Sequence, residues 1–170
     1  MTMTTTRIDR GSTATTTIYS EDDELVFERR FGAPRSLVWR AFTDPDLVPR
    51  WWGKHGSQTE VVEMDVRPGG TWRYRSSAPD REDVEFYGEY LEIVEPERIT
   101  WTFMFDVEGV GPQGGPETLT LEDLGDGRTR MRAVSHMGSE EAIDAALETG
   151  MTQGAIETWD RLEELLAQQA

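Results

Sequence analysis

Between residues 58 and 136 apolar side chains recur at every second position in segment after segment, and tight-turn residues separate the segments. The clearest is "ITWTFMFDV" (99–107), with Ile99, Trp101, Phe103, Phe105 and Val107 in phase. "QTEVVEMDV" (58–66) sets Val62, Met64 and Val66 on one face, "TWRYR" (71–75) pairs Trp72 with Tyr74, and "VEFYGEYLEIV" (84–94) aligns Phe86, Gly88 and Tyr90. "TLTLEDL" (118–124) and "RTRMRAVSH" (128–136), joined by a "GDG" hairpin turn, complete six segments. Successive strand residues point to opposite faces, so such a run has one apolar face that something must cover.

The cover follows in sequence. Ile143, Leu147, Met151, Ala155, Trp159, Leu162 and Leu166 recur every three to four residues, a helical stripe. Ser139 suits the N-cap, with Glu140 and Glu141 favourable in the first turn. Gly150 and Gly154 predict a break near 149–151, followed by a long helix to about residue 167. Ahead of the strands, "LVFERRF" (25–31) alternates as a strand, and "TTTIY" from Thr15 starts another or an edge extension. "APRSLVWRAFTDP" (33–45) and "DLVPRWWG" (46–53) read as two short helices, the second stopped by Gly53. The expected architecture is α+β: a curved antiparallel sheet of about six or seven strands around a long carboxy-terminal helix, with two short helices after the first strand. Residues 1–14 are expected to be a mobile tail and 15–168 a single domain.

Four stretches carry a family resemblance: "RRFGAPRSLVWRAFTDPDLVPRWWG" (29–53), "RPGGTWRY" (67–74), "FYGEYLEIVEPERITWTF" (86–103) and "ETGMTQGAIETWDRLEELL" (148–166). In content and order they resemble the START-like, or SRPBCC, superfamily. The branch they are most similar to is named for the activator of the ninety-kilodalton heat-shock chaperone ATPase (the Aha-type domain). The resemblance implies a helix-grip (START/Bet v-like) fold, and a role in binding lipids, hormones or polyketides, in cyclase or aromatase chemistry, or in assisting a chaperone, with a link to stress. Fold alone does not choose among these. The eukaryotic activator has a second domain that this sequence does not match.

Composition narrows the partners. Thirty-three acidic residues against 17 basic ones give a net charge of −16, which repels nucleic acid and anionic lipid headgroups alike. No cysteine is present, so disulfides and thiolate chemistry are excluded, in keeping with a cytoplasmic protein. The amino terminus lacks a signal-peptide core, and "ITWTFMF" is too short to span a bilayer. His55 and His136 form no zinc pattern, "SEDDE" lacks calcium-loop spacing, and "GVGPQGG" leads into a strand rather than a helix, so neither metal nor another cofactor is expected.

What remains is the apolar face. Its candidate ligand-binding residues are Trp51, Trp52, Met64, Trp72, Tyr74, Phe86, Tyr90, Trp101, Phe103, Met131, Met151 and Trp159. Rings with polar tips and adaptable methionines line apolar pockets, although each residue taken alone fits a packed core equally well. Gly88 on the strand face, and Ala146, Gly150 and Gly154 on the helix, leave room where larger side chains would fill it. Trp52 is expected in the core and Trp51 at the rim, with Gly53 and Gly56 as a hinge. Arg29, on an apolar strand face, needs a carboxylate, for which Glu92 is the candidate. The leading expectation is a non-enzymatic module, monomer or homodimer, that encloses a small apolar or amphipathic ligand. A co-chaperone-like interaction domain and a cyclase-like enzyme are the alternatives.

Overall fold

The alternating segments all form strands in the computed structural model, which describes residues 6–107 and 111–169. Within these, the strands are β1 (Ile8–Asp9), β2 (Thr16–Glu21), β3 (Glu24–Phe31), β4 (Gln58–Met64), β5 (Thr71–Ala78), β6 (Arg81–Val94), β7 (Arg98–Val107), β8 (Gly111–Gly125) and β9 (Arg128–His136). All pair antiparallel in one open, curved sheet, in the order β1-β2-β3-β9-β8-β7-β6-β5-β4. The helices are α1 (Arg35–Thr43), α2 (Glu140–Glu148) and α3 (Met151–Gln169), and Val48–Arg50 forms a single 3-10 turn. A helix-grip α+β fold results, with more strands than the six or seven expected.

The extra strands lie at the amino-terminal edge of the sheet, and β8 is longer than expected. Ile8 and Asp9 pair with Ser20 and Tyr19, so part of the segment expected to be a mobile tail forms an edge strand; residues 1–5 lie outside the described residues. Arg10 reinforces that edge with ion pairs to Asp144 and Glu140 of α2. The glycine- and proline-rich stretch expected as a loop over 108–117 is strand from Gly111 onward, pairing with β7 along its whole length. Residues 108–110 and the side chain of Val107 lie outside the described residues.

Bulges shift the expected faces in two places. Register slips between Val61 and Glu63, so Val61 packs with Met64 against the core while Val62 is 44% exposed. A second slip between Tyr90 and Glu92 turns Glu92 outward, where it pairs with Arg98 rather than Arg29. Distance decides that case as well. β3 and β6 are four strand spacings apart, about 19 Å. Arg29 instead reaches α3, with Asp160 at 2.7 Å and Glu163 at 3.0 Å, and so fastens the long helix to β3.

α2 opens as expected, with Ser139 Oγ accepting from the Ala142 amide. Gly150 then takes the left-handed conformation, φ +82°, and the chain turns from α2 into α3. Ile143, Leu162, Leu165 and Leu166 are buried in the core, and Phe27 of β3 meets Trp159 edge to face at 5.4 Å.

Candidate functional site

Sheet and helix do not close completely on one another. Between them lies a cavity of about 370 Å³, within the range that holds small molecules. Phe27, Phe86, Trp101, Phe103 and Phe105 line the sheet side. Ala146, Gly150, Met151, Gly154, Ala155 and Trp159 line the helix side. The small residues at 146, 150 and 154 therefore do leave room. The lining runs out to the exposed residues Lys54, Arg81 and Asp106, which mark the mouth.

Gly88 has a different purpose from the one expected. A Cβ there would sit 1.8 Å from the Thr102 carbonyl oxygen of β7, so glycine is required for strands to approach and not to make space for a guest. The neighbouring Glu89 amide donates to Thr102 Oγ1 at 2.8 Å instead of to a ladder carbonyl.

Both of the paired tryptophans are buried: Trp52 lies in the core as expected, and Trp51, expected at the rim, lies deeper still. Trp51 is 0% exposed; its indole N–H donates to the Ala41 carbonyl at 3.0 Å and its ring meets Phe42 at 4.8 Å. Trp52, 7% exposed, points towards the sheet, meeting Tyr74 at 4.9 Å and stacking on Phe103 at 5.7 Å. The turn fixes this division, because adjacent side chains leave it in different directions and α1 occupies one of them. Nor does the segment resemble a loose hinge. Arg161 of α3 donates to the carbonyls of Trp52 (3.1 Å), Gly53 (3.0 Å) and Lys54 (3.3 Å), and Thr59 donates to Trp52 at 2.6 Å.

Seven of the twelve candidate residues line the cavity: Trp51, Trp52, Phe86, Trp101, Phe103, Met151 and Trp159. Met64, Trp72, Tyr74, Tyr90 and Met131 instead pack behind that lining or elsewhere in the core. Trp72 of β5 stacks on Trp101 at 4.9 Å, and Tyr90, the cross-strand partner of Trp101 on β6, does so at 6.0 Å. Burial pushes the Tyr74 phenol well above its ordinary acidity range and that of Tyr90 up to about 12, so both stay neutral at physiological pH.

One lining residue falls outside the sequence expectation. Glu117 of β8 stands between Trp101 of β7 and Ser135 of β9 in a single cross-strand row. Its carboxylate accepts from Trp101 Nε1 at 3.0 Å and from Ser135 Oγ at 3.1 Å. Burial raises its pKa above the ordinary 4.5, against the smaller, opposing effect of these two donors. Among the described residues no Lys, Arg or His lies within ion-pair distance of it. The sequence does hold a signal, since Leu119 and Leu121 alternate inward and the same period carried back two residues reaches Glu117. His136 and His55 do not enter the cavity: His136 pairs with Glu24, and His55 lies near Glu157 and Glu164. Among the described residues no three His, Asp or Glu side chains converge to hold a metal.

An open sheet gripping a helix over a ring-lined cavity defines the helix-grip class. Within it, the chain belongs to the family described as Activator of Hsp90 ATPase homolog 1-like protein, which matches residues 32–167. Solved structures agree. Protein CV1439 of Chromobacterium violaceum is 30% identical over 84% of this chain and 96% of its own, with a TM-score of 0.66. Protein Ms6760 of Mycobacterium smegmatis is 28% identical over 85% of this chain and 91% of its own, with a TM-score of 0.75. A protein from Arthrobacter aurescens, 24% identical over 89% of this chain and 91% of its own, shares the fold with a TM-score of 0.79. Among curated proteins none matches. No described helix is long and apolar enough to cross a membrane.

Proposed function

We propose that this protein encloses a small apolar or amphipathic molecule between its sheet and α3. The carrying observation is the cavity itself, about 370 Å³, walled by rings on one side and by small residues on the other. A packed core of this composition would close such a void, because interiors fill to crystal-like density. The family is compatible with protein partners too, but the chaperone-linked reading rests on resemblance alone.

A titration with N-phenyl-1-naphthylamine, an uncharged dye that brightens in apolar surroundings, tests the proposal. The wild type is expected to bind it saturably. Ala155→Phe, which places a ring in the cavity from the helix side, is expected to weaken binding about tenfold or more with the melting temperature little changed. Absence of dye binding, or equal binding by the folded variant, would contradict the proposal.

A further inference from the structure

A mostly apolar cavity holds, inward of its mouth, a carboxyl group that the protein leaves half-provided. Glu117 receives one hydrogen bond on each oxygen, from Trp101 and Ser135, and a carboxylate has about four acceptor positions. The other polar groups of the lining are occupied differently. Thr149 and Thr158 donate to the helix carbonyls of Ala146 and Gly154, and Arg81 is turned to Ser76. Asp106 accepts from Tyr87 out at the mouth. Gln113 donates to the Pro112 carbonyl on the exposed side, and Lys54 stands at the mouth. Half-buried beside Trp101, Glu117 is therefore the carboxyl with acceptor positions open to a guest.

We propose that the cavity selects a ring-bearing apolar molecule carrying a hydrogen-bond donor, an alcohol or an amine, and that Glu117 receives that donor. The inference rests on the cavity-binding reading and assigns its chemical class. Rings stack on Trp101, Phe103 and Trp159, while the donor meets an acceptor in low dielectric, where such a bond is strong. A guest carboxylate or phosphate carried in to Glu117 would face it without an ion-pair partner, since the lining cations Lys54 and Arg81 stand out at the mouth, and the net charge of −16 disfavours anions in general. A purely hydrocarbon guest would cover Glu117 without satisfying it, which costs affinity.

Calorimetric titration with three ligands that share one ring system tests this: 2-methylnaphthalene, 2-naphthol and 2-naphthylmethylamine. In the wild type the naphthol or the amine is expected to bind about tenfold or more tightly than the methyl compound, about 1.4 kcal/mol. In Glu117→Leu that preference is expected to vanish, with the methyl compound bound at least as well as before. Should the leucine variant not fold, Glu117→Met carries the same comparison. Glu117→Gln separates the two donors: it keeps an acceptor for the alcohol but removes the charge that holds an ammonium. Equal binding of all three ligands by the wild type, or a donor preference that survives removal of the carboxyl, overturns this inference and leaves the cavity reading standing. Failure of every ligand to bind overturns both.

Discussion

Trp51 and Trp52 leave one 3-10 turn in different directions, and each is held by what it meets there. Trp51 is fixed by the Ala41 carbonyl and Phe42, Trp52 by Tyr74 and Phe103. Truncating a buried tryptophan costs about 3–5 kcal/mol, so alanine at either position reports on folding before it reports on binding. Glu117 is the more informative residue. In the unfolded chain it titrates near 4.5, and burial raises that value in the folded protein. The folded state therefore holds the proton more tightly. The resulting contribution to stability is fully present below the unfolded value and is lost as pH rises through the folded one. Glu117→Gln lacks this titration. The melting temperature of the variant minus that of the wild type is thus predicted to increase from about pH 4 to about pH 8. A difference that stays flat or shrinks contradicts the assignment.

Among the elements, the α2–α3 junction shows how two glycines in one stripe serve different ends. Gly150 is left-handed with open space around it, whereas Gly154 is helical, and a Cβ added there would meet the Lys54 side chain at 3.3 Å. Gly150→Ala is predicted to cost about 1 kcal/mol, a fall of about 2–4 °C in melting temperature. Gly154→Ala removes helix-interior glycine and asks only a flexible lysine side chain to move, so it is predicted to gain up to about 1 kcal/mol. Thermal unfolding followed by circular dichroism decides both, and two shifts of the same sign would contradict this account. The elements are largely legible in the sequence because period two and period 3.6 are local signals. Gln113, Gly115 and Glu117 look like loop because glycine and proline mask an alternation that continues in Leu119 and Leu121. The bulges at Val62 and after Tyr90 leave no periodic trace, so strict alternation puts Val61 and Glu92 on the wrong faces. Pairing over long separations is hidden too. Nothing local says that β3 lies beside β9, or that Arg29 meets Asp160 rather than Glu92.

For the whole molecule, the consequence of the fold is a space rather than a catalytic array. Nine described strands curve around α2 and α3, which present the small residues Ala146, Gly150 (at their junction) and Gly154, and the rings opposite cannot reach far enough to close the gap. Arg29 and Arg161 hold α3 at that distance from the sheet and from the tryptophan-bearing turn. The acidic exterior repels anions and leaves neutral or cationic guests free to approach. Six tryptophans make the interior unusually easy to observe, since each indole N–H is a separate reporter. Trp51, Trp52, Trp101 and Trp159 line the cavity, whereas Trp39 borders a separate groove with Val66 and Ile93. The most direct measurement is a nitrogen-15 NMR titration of the indole N–H signals with 2-methylnaphthalene. Saturable shifts at Trp52, Trp101 and Trp159 with Trp39 unmoved are predicted; no shift up to the ligand's solubility, or movement of Trp39 as large as that of Trp101, would contradict the enclosed cavity as the binding site.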